Sequence, residues 1–366
     1  MKTITKIVVT GGPCAGKTTA LSWIQQKFNK IGYGVLFVSE AATDLITSGI
    51  APWTLDSGYD FQKSIISLQR AKEKVVEMSA EALKGYDKVL IVCDRGVMDN
   101  KAYLSEDEFQ RLLKEYGLSE IEIRDSYDAV FHLVTAANGA EEYYTLSNNK
   151  ARTETIESAI AVDQKTVAAW TGHPHLRIID NSTDFSTKIK RLINEISSFL
   201  GEPTTFEIER KFLVEYPDLK KLQSTCACKK SEIIQTYLNS ANGDEVRIRQ
   251  RGSLNHYTYT KTIKKKIKAN GIKRIEIESR IDKDEYLTLL MDADQTKRQI
   301  RKDRYCFVFN NQYFELDIYP FWKDKAIVEI ELASEKTKVD FPDFIKVIKE
   351  VTDDESFKNS SIAKIK

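Results

Sequence analysis

No apolar run in this chain approaches the ~20 residues that a membrane-spanning helix needs. The first strand begins almost at Met1, which leaves no room ahead of it for a secretory leader, so a cytoplasmic location is expected. Cysteine is sparse. The five residues Cys14, Cys93, Cys226, Cys228 and Cys306 are odd in number and scattered. Cys226 and Cys228 are separated by a single residue, which is not the spacing of a zinc knuckle, and no second pair completes one. Free thiols in a reducing compartment are expected. Net charge is missing as well. With 55 Lys and Arg against 54 Asp and Glu, the chain is no whole-chain nucleic-acid binder, although local patches remain open to it. No internal repeat or low-complexity segment stands out.

What is present is ordinary globular composition, 42% hydrophobic and 10% aromatic, over 366 residues, a length that suits two cores. The chain has two grammars. As far as about residue 200, the largely apolar runs "ITKIVVTGG", "GVLFVSE", "KVLIVCD", "DAVFHLV" and "HLRIID" alternate with helical stretches at 17–31, 59–83, 106–116, 153–170 and 186–199. Such runs suit parallel strands covered on both faces, and the alternation is that of an α/β doubly wound domain. After "GEPTT" (201–205) the strands alternate polar and apolar instead, from "FEIERKFLV" to "AIVEIELA", with hairpin breaks at "ANGD" and "KANGIK". Only 283–291 and 342–351 read as helical there. The expected domains are 1–201 and 202–366.

"GGPCAGKTT" fits G-x-x-x-x-G-K-[ST] through Gly11, Gly16, Lys17 and Thr18, and it stands between a strand and a helix as the P-loop motif requires. Gly11, Gly12, Ala15, Gly16 and Thr19 would bring backbone N–H groups around the phosphates of ATP or GTP, and Pro13, which has no N–H, would shape the same nucleotide-binding loop. Lys17 would reach the β- and γ-phosphates, and Thr18 would ligate Mg²⁺. Glu40 and Asp94 end two of the strands, where open α/β sheets bind ligands. Asp94 stands where a Mg²⁺ carboxylate belongs, and either acid could instead accept a proton from a substrate hydroxyl. For Glu40, helix capping is the competing role. Arg152 and Glu154 open a helix that could fold over the nucleotide, with Arg152 either stabilising transferring charge or solvated in a loop. His173 and His175 lack a third ligand nearby and are expected to be structural.

"GGPCAGKTT", "VSEAATDLI", "CDRG" and "WTGHPHLRIIDNS" resemble the NadR-like branch of P-loop kinases. Over roughly the first two hundred residues, the resemblance implies an NTP-dependent kinase fold without naming the acceptor.

In the second half, charged residues recur at every other position: Glu207, Glu209 and Lys211; Arg247, Arg249 and Arg251; Arg274, Glu276 and Glu278; Lys302 and Arg304; Glu315 and Asp317; Glu329 and Glu331. Apolar residues such as Ile208, Ile248, Ile277, Leu316 and Ile330 fill the positions between. One face of these strands is therefore charged and the other apolar. A sheet with one wet face would show the same alternation, but not signs segregated strand by strand. A barrel lined by those faces explains the segregation, because carboxylates would bind divalent cations and the bases a chain of phosphates. The expected fold is thus an α/β doubly wound P-loop domain followed by an α+β antiparallel β-barrel.

E-x-E-x-K (Glu207, Glu209, Lys211), followed in order by "VRIRQR", "YTYTK", "KRIEIE", "RKDRY", "FELDIY" and "VEIEL", is similar to the CYTH, or triphosphate tunnel metalloenzyme, family. That resemblance implies that Glu207, Glu209, Glu329 and Glu331 hold Mg²⁺ or Mn²⁺, with Glu276, Glu278 and Asp317 completing the acidic lining. It assigns Lys211, Arg247, Arg249, Lys261, Arg274, Lys302 and Arg304 to the phosphates, with Lys211 also counted among the catalytic residues. The pairing of the two domains resembles the TRPL translocation defect family. That resemblance implies GTP and phosphoinositide binding, whereas the full acidic and basic set favours an enzyme that hydrolyses tripolyphosphate or a nucleoside or thiamine triphosphate beside a kinase or NTPase domain. The rival is a GTP- or ATP-gated binder of phosphorylated ligands such as phosphoinositides. The run "KTIKKKIKANGIKR" is read as a solvated hairpin tip, with acidic lipid headgroups as the lesser alternative.

Overall fold

The computed structural model describes residues 2–143, 155–202, 208–240, 244–254, 256–266, 274–332 and 337–364. The chain divides into two compact units, Met1–Thr205 and Phe206–Lys366.

The first unit runs β1 (Thr3–Gly11), α1 (Lys17–Lys30), β2 (Tyr33–Val38), α2 (Ala41–Thr47), α3 (Gly58–Ala82), β3 (Lys88–Asp94), α4 (Glu106–Glu115), α5 (Glu120–Arg124), β4 (Ala129–Leu133), α6 (Ile156–Trp170), β5 (Leu176–Ile179) and α7 (Phe185–Phe199). Its five strands are parallel, in the order β2-β3-β1-β4-β5. The apolar runs have the burial that parallel strands demand: Ile7, Val8 and Val9 of β1 and the span from Val89 to Cys93 of β3 are inaccessible to solvent. Helix starts follow the capping residues. Ser57, Ser105, Thr155 and Asp184 each accept a first-turn amide of the helix they precede. The central strand β1 leads into the phosphate-loop sequence, so the topology delivers residues 11–17 to the carboxyl edge of the sheet, where such folds bind ligands.

The second unit runs β6 (Ile208–Glu215), α8 (Leu219–Thr225), β7 (Ala227–Leu238), β8 (Glu245–Ser253), β9 (His256–Lys266), β10 (Arg274–Ile281), α9 (Lys283–Leu289), β11 (Ile300–Phe309), β12 (Gln312–Ile318), β13 (Lys325–Leu332), β14 (Val347–Glu350) and α10 (Asn359–Ile362). The strands form one antiparallel sheet in the order β10-β9-β8-β7-β11-β12-β13-β6-β14. The sheet curls. Glu209 on β6 and Lys264 on β9 lie at far-separated places in the strand order, yet their charges interact, and Arg251 on β8 reaches Cys306 on β11. The charged face therefore lines an interior and the apolar face points outward, covered by Leu222 of α8, Phe341 and Ile345 on one side and by Tyr286 of α9 on Ile248.

One expected helix is absent. Residues 342–351 were expected to be helical, but the chain forms the edge strand β14, paired with β6 across a bulge between Val347 and Lys349. Ile345 and Val351 anchor it from either side in the core, and pairing with β6 satisfies backbone groups that the outer edge of β6 would otherwise leave open. Among the described residues, no helix is long and apolar enough to cross a membrane.

Gly11 shows how tightly the loop joins the sheet. Its φ is 143°, and a Cβ added there would stand 2.0 Å from the Leu133 carbonyl oxygen of β4. Gly11→Ala must therefore push β1 and β4 apart. The expected loss is about 2 kcal/mol or more, read as a lower midpoint for the first unit in thermal unfolding, with the second unit's transition unmoved.

Candidate functional site

Residue types in the phosphate loop follow from its turns. Gly16 (φ 91°) is the residue before α1 and takes the left-handed conformation that glycine tolerates; Cys14 (φ 55°) adopts it as well. Lys17 Nζ donates to the carbonyl oxygens of Gly11 at 3.1 Å and Gly12 at 3.2 Å. Burial, helped by the Arg95 guanidinium, brings Lys17 down to about 8 against the pull of Asp94, Glu40 and Asp99.

Arg95 follows β3 with φ 68°, and its Nε donates to Glu40 Oε1 at 2.6 Å while Nη1 donates to Asp99 Oδ1 at 3.2 Å. Burial alone would raise the Glu40 carboxyl, but Arg95 and Lys17 outweigh it and hold Glu40 at about 2. Glu40 precedes α2 without capping it; its side chain is spent on Arg95 and on the Thr43 hydroxyl. Asp94 behaves in the opposite way. Burial, reinforced by Glu40, raises its carboxyl despite Lys17 and Arg95, and its Oδ1 is buried without a hydrogen-bond partner. Thr18 is exposed at the start of α1.

Three further residues brace this site, and the sequence reading passed over them. Asp163 on α6 accepts from the Gly12 amide at 2.6 Å and the Thr135 amide at 3.3 Å, and lies 3.1 Å from His132 Nε2. Asp99 accepts from the Gly96 amide at 2.9 Å, Trp170 Nε1 at 3.1 Å and the Thr10 hydroxyl. Arg95 is the third. His173 is buried against the Tyr127 carbonyl at 2.9 Å, a structural place. Arg152 and Glu154 lie outside the described residues.

In the second unit the interior face is built by register. Arg304 lies opposite Asp317, Glu315 opposite Glu329, Glu329 opposite Lys211, and Glu331 opposite Glu209. Arg304 is the hub: Nε and Nη2 donate to the two oxygens of Asp317 at 2.7 Å each, Nη2 also to Glu329 at 2.8 Å, and Nη1 to Glu315. Lys302 donates to Asp317, and Lys211 Nζ stands 2.7 Å from Glu329 and 3.9 Å from Glu209. Burial would raise Glu329, but Lys211, Lys302 and Arg304 hold it well below the carboxylate range. Burial and Arg304 bring Lys302 to about 8. Glu209 differs. Its side chain is 49% accessible, and partial burial together with Glu329 raises its carboxyl above the usual range.

Across the interior, Arg247, Arg249 and Arg251 of β8 face Thr262, Thr260 and Thr258 of β9. Burial and the neighbouring Arg247 lower Arg249; its Nε–H and the facing Thr260 hydroxyl are both buried without partners. Glu278 accepts from the Thr262 hydroxyl at 2.9 Å. Lys261 does not join this face. It lies opposite Ile248 and Ser279, on the side of the Ile248–Tyr286 cluster, because the strand's two-residue period puts Thr260, Thr262 and Lys264 inside instead. Lys264 and Arg251 were left out of the expected phosphate set, although the same alternation could have found both. In the backbone register Arg274 lies opposite Lys266 and Glu276 opposite Lys264, and Glu207 lies outside the described residues. Among the described residues, no three Asp, Glu, His or Cys side chains converge as a ready-made metal site.

Residues 6–188 match a family model described as an AAA domain, and residues 205–364 match that of the CYTH domain. The chain belongs to the AAA-domain family and carries a CYTH domain after it. The first half is thus P-loop NTPase-like and the second a CYTH tunnel, as their motifs imply. No curated protein matches the chain. Among solved structures it is similar to the hypothetical protein NE1496 (29% identity, 43% of this chain and 97% of that one, TM-score 0.31). It is also similar to a structure described as the inorganic triphosphatase NE1496 (28%, 44% and 95%, 0.30) and to the PH1819 protein from Pyrococcus horikoshii OT3 (24%, 36% and 80%, 0.28).

The CYTH geometry separates two carboxylates. Asp317→Asn would leave Lys302 and Arg304 buried without their shared counter-charge and should cost roughly 3–5 kcal/mol in denaturant titration. Glu209→Gln should leave stability level or raise it. Because the folded value of Glu209 lies above its unfolded one, the folded chain binds the extra proton between them, so stability falls as pH rises through that interval. Glu209→Gln should flatten that fall in a stability-versus-pH series.

Proposed function

We propose that this protein hydrolyses a linear triphosphate in its CYTH tunnel and binds Mg²⁺·ATP or Mg²⁺·GTP at its P-loop, where it acts as a small-molecule kinase. The observation that carries the tunnel reading is the orphaned pair on its basic wall, Arg249 Nε–H and the Thr260 hydroxyl, buried and facing each other without acceptor or donor. Such groups cost stability unless an anion takes them up. A polyanionic chain of phosphates fits, and the Arg247–Arg249–Arg251 row together with Lys264 would hold it.

Glu209 and Glu331, directly opposite on β6 and β13, fit a divalent cation. Two like charges at such a pair repel unless a cation lies between them. Together with Glu207 they would hold Mg²⁺ or Mn²⁺, which neutralises charge on the phosphates. Asp317 and Glu329, which the family resemblance places in the acidic lining and among the metal ligands, pair with Arg304, Lys302 and Lys211. Their role in this reading is to fix those bases. Water attacks the terminal phosphorus, the anhydride P–O bond breaks, and Lys211 stabilises charge on the departing chain.

At the P-loop, Asp94 fits the Mg²⁺ shell together with Thr18, since its buried oxygen lacks any partner and Glu40 is already bound to Arg95.

Two substitutions in the full chain test the division of labour. Phosphate release from tripolyphosphate, thiamine triphosphate, ATP and GTP with Mg²⁺ or Mn²⁺ should fall roughly 10²-fold or more in Arg249→Ala. The same activity should survive Lys17→Ala, which should instead abolish nucleotide binding at the P-loop. Turnover lost in Lys17→Ala and kept in Arg249→Ala would move the hydrolysis to the first unit. Release from none of the four substrates would leave the tunnel a binding module.

A further inference from the structure

Phe185, the first residue of α7, is 43% exposed, an unusual place for a phenyl ring. Its ring packs on the phosphate loop itself. A Cβ added to Gly16 would stand 2.5 Å from Phe185 Cε2 and 2.9 Å from Cζ, so only a glycine there lets the ring approach. Among the described residues, no other ring or cation packs on it.

The segment that presents the ring is tied to its neighbours by hydrogen bonds. Asn181 donates from Nδ2 to the carbonyl oxygens of Thr135 and Asn138, at 2.7 Å each, and accepts from Lys188 Nζ at 2.6 Å. Lys188 also donates to the Val134 carbonyl at 2.6 Å. Asp180 accepts from Arg191 Nη1 at 2.7 Å and from the Ser182 hydroxyl at 2.6 Å. The loops after β4 and β5 are thereby locked together beside the P-loop.

We infer that Phe185 is the stacking platform for the base of the nucleotide, resting on the reading that the P-loop holds the phosphates. An apolar ring fixed against the phosphate loop and open on its outer side offers a flat π-surface within the span of one nucleotide. Every base has a π-face, so stacking adds affinity without choosing among bases. Of the polar side chains on this segment, the Asn181 amide is held by Thr135, Asn138 and Lys188, and Asp180 Oδ1 by Arg191 and Ser182. Phe185 therefore sets affinity for ATP and GTP alike, and the site takes either.

Calorimetric titration of the full chain with ATP, GTP and pyrophosphate tests this, with the tunnel silenced by Arg249→Ala. Phe185→Ala should weaken both nucleotides by about 5- to 150-fold, the range for loss of one stacked base. Pyrophosphate, which has no base, should hold its affinity within about twofold, and Phe185→Trp should restore the nucleotides. Unchanged nucleotide affinity in Phe185→Ala overturns the proposal. So does an equal loss for pyrophosphate, which would make the ring a prop for Gly16, and so does a loss confined to one nucleotide. Nucleotide binding that survives Lys17→Ala would instead sink the P-loop reading beneath it.

Discussion

The CYTH unit depends on a single guanidinium. Arg304 bonds to carboxylates from two neighbouring strands, Asp317 and Glu315 on β12 and Glu329 on β13, and so ties three strands together from inside. Buried charge of this kind is weak evidence for stability, because desolvation offsets most of the attraction. Its stronger consequence is specificity. A strand slipped by one residue would turn Arg304 or its partners outward and leave the rest buried and unpaired. The ion pairs thus fix the register of β11, β12 and β13, and through Glu329 and Lys211 that of β6.

The P-loop unit solves a similar problem with backbone. Asp163 and Asp99 take amides of the Gly12 and Gly96 turns, and Trp170 ties the far end of α6 to Asp99. The helix is held at two points spaced along its length, one at the phosphate loop and one at the turn after β3. Arg95, strained into the left-handed region, is kept there by Glu40 and Asp99. The two carboxylates are themselves held in place, Glu40 by the Thr43 hydroxyl and Asp99 by the Gly96 amide and Trp170.

Much of this was legible in the chain. Period-two alternation placed Arg247, Arg249, Lys302, Arg304, Asp317 and Glu329 on one face, and the G-x-x-x-x-G-K-T spacing placed Lys17. Both rest on local geometry, which a sequence carries directly. The misses share one cause: they depend on partners far away in sequence. Asp163 lies 151 residues from the amide it accepts, and nothing in "AVDQK" marks it out. Lys261 was misplaced because "TKT" offers a lysine one residue off the interior phase, and only the pairing with Ile248 shows which side is inside. Residues 342–351 became a strand because β6 had an edge to fill, a demand set by the sheet and not by the segment.

The two sites manage charge in opposite ways, and this bears on how each would meet a ligand. In the P-loop, Lys17 is already bonded to two carbonyls and Arg95 to two carboxylates, so an incoming phosphate must exchange contacts rather than simply add them. In the tunnel the acidic side is neutralised internally, while the basic wall keeps a buried Arg249 Nε–H and a buried Thr260 hydroxyl unused. An anion there adds hydrogen bonds at no loss of existing ones. Burial, and after it the neighbouring Arg247, also depress Arg249. A polyanion relieves both penalties together. On the proposed reading, the tunnel wall would gain contacts from an anion, whereas the P-loop would give contacts up to a nucleotide.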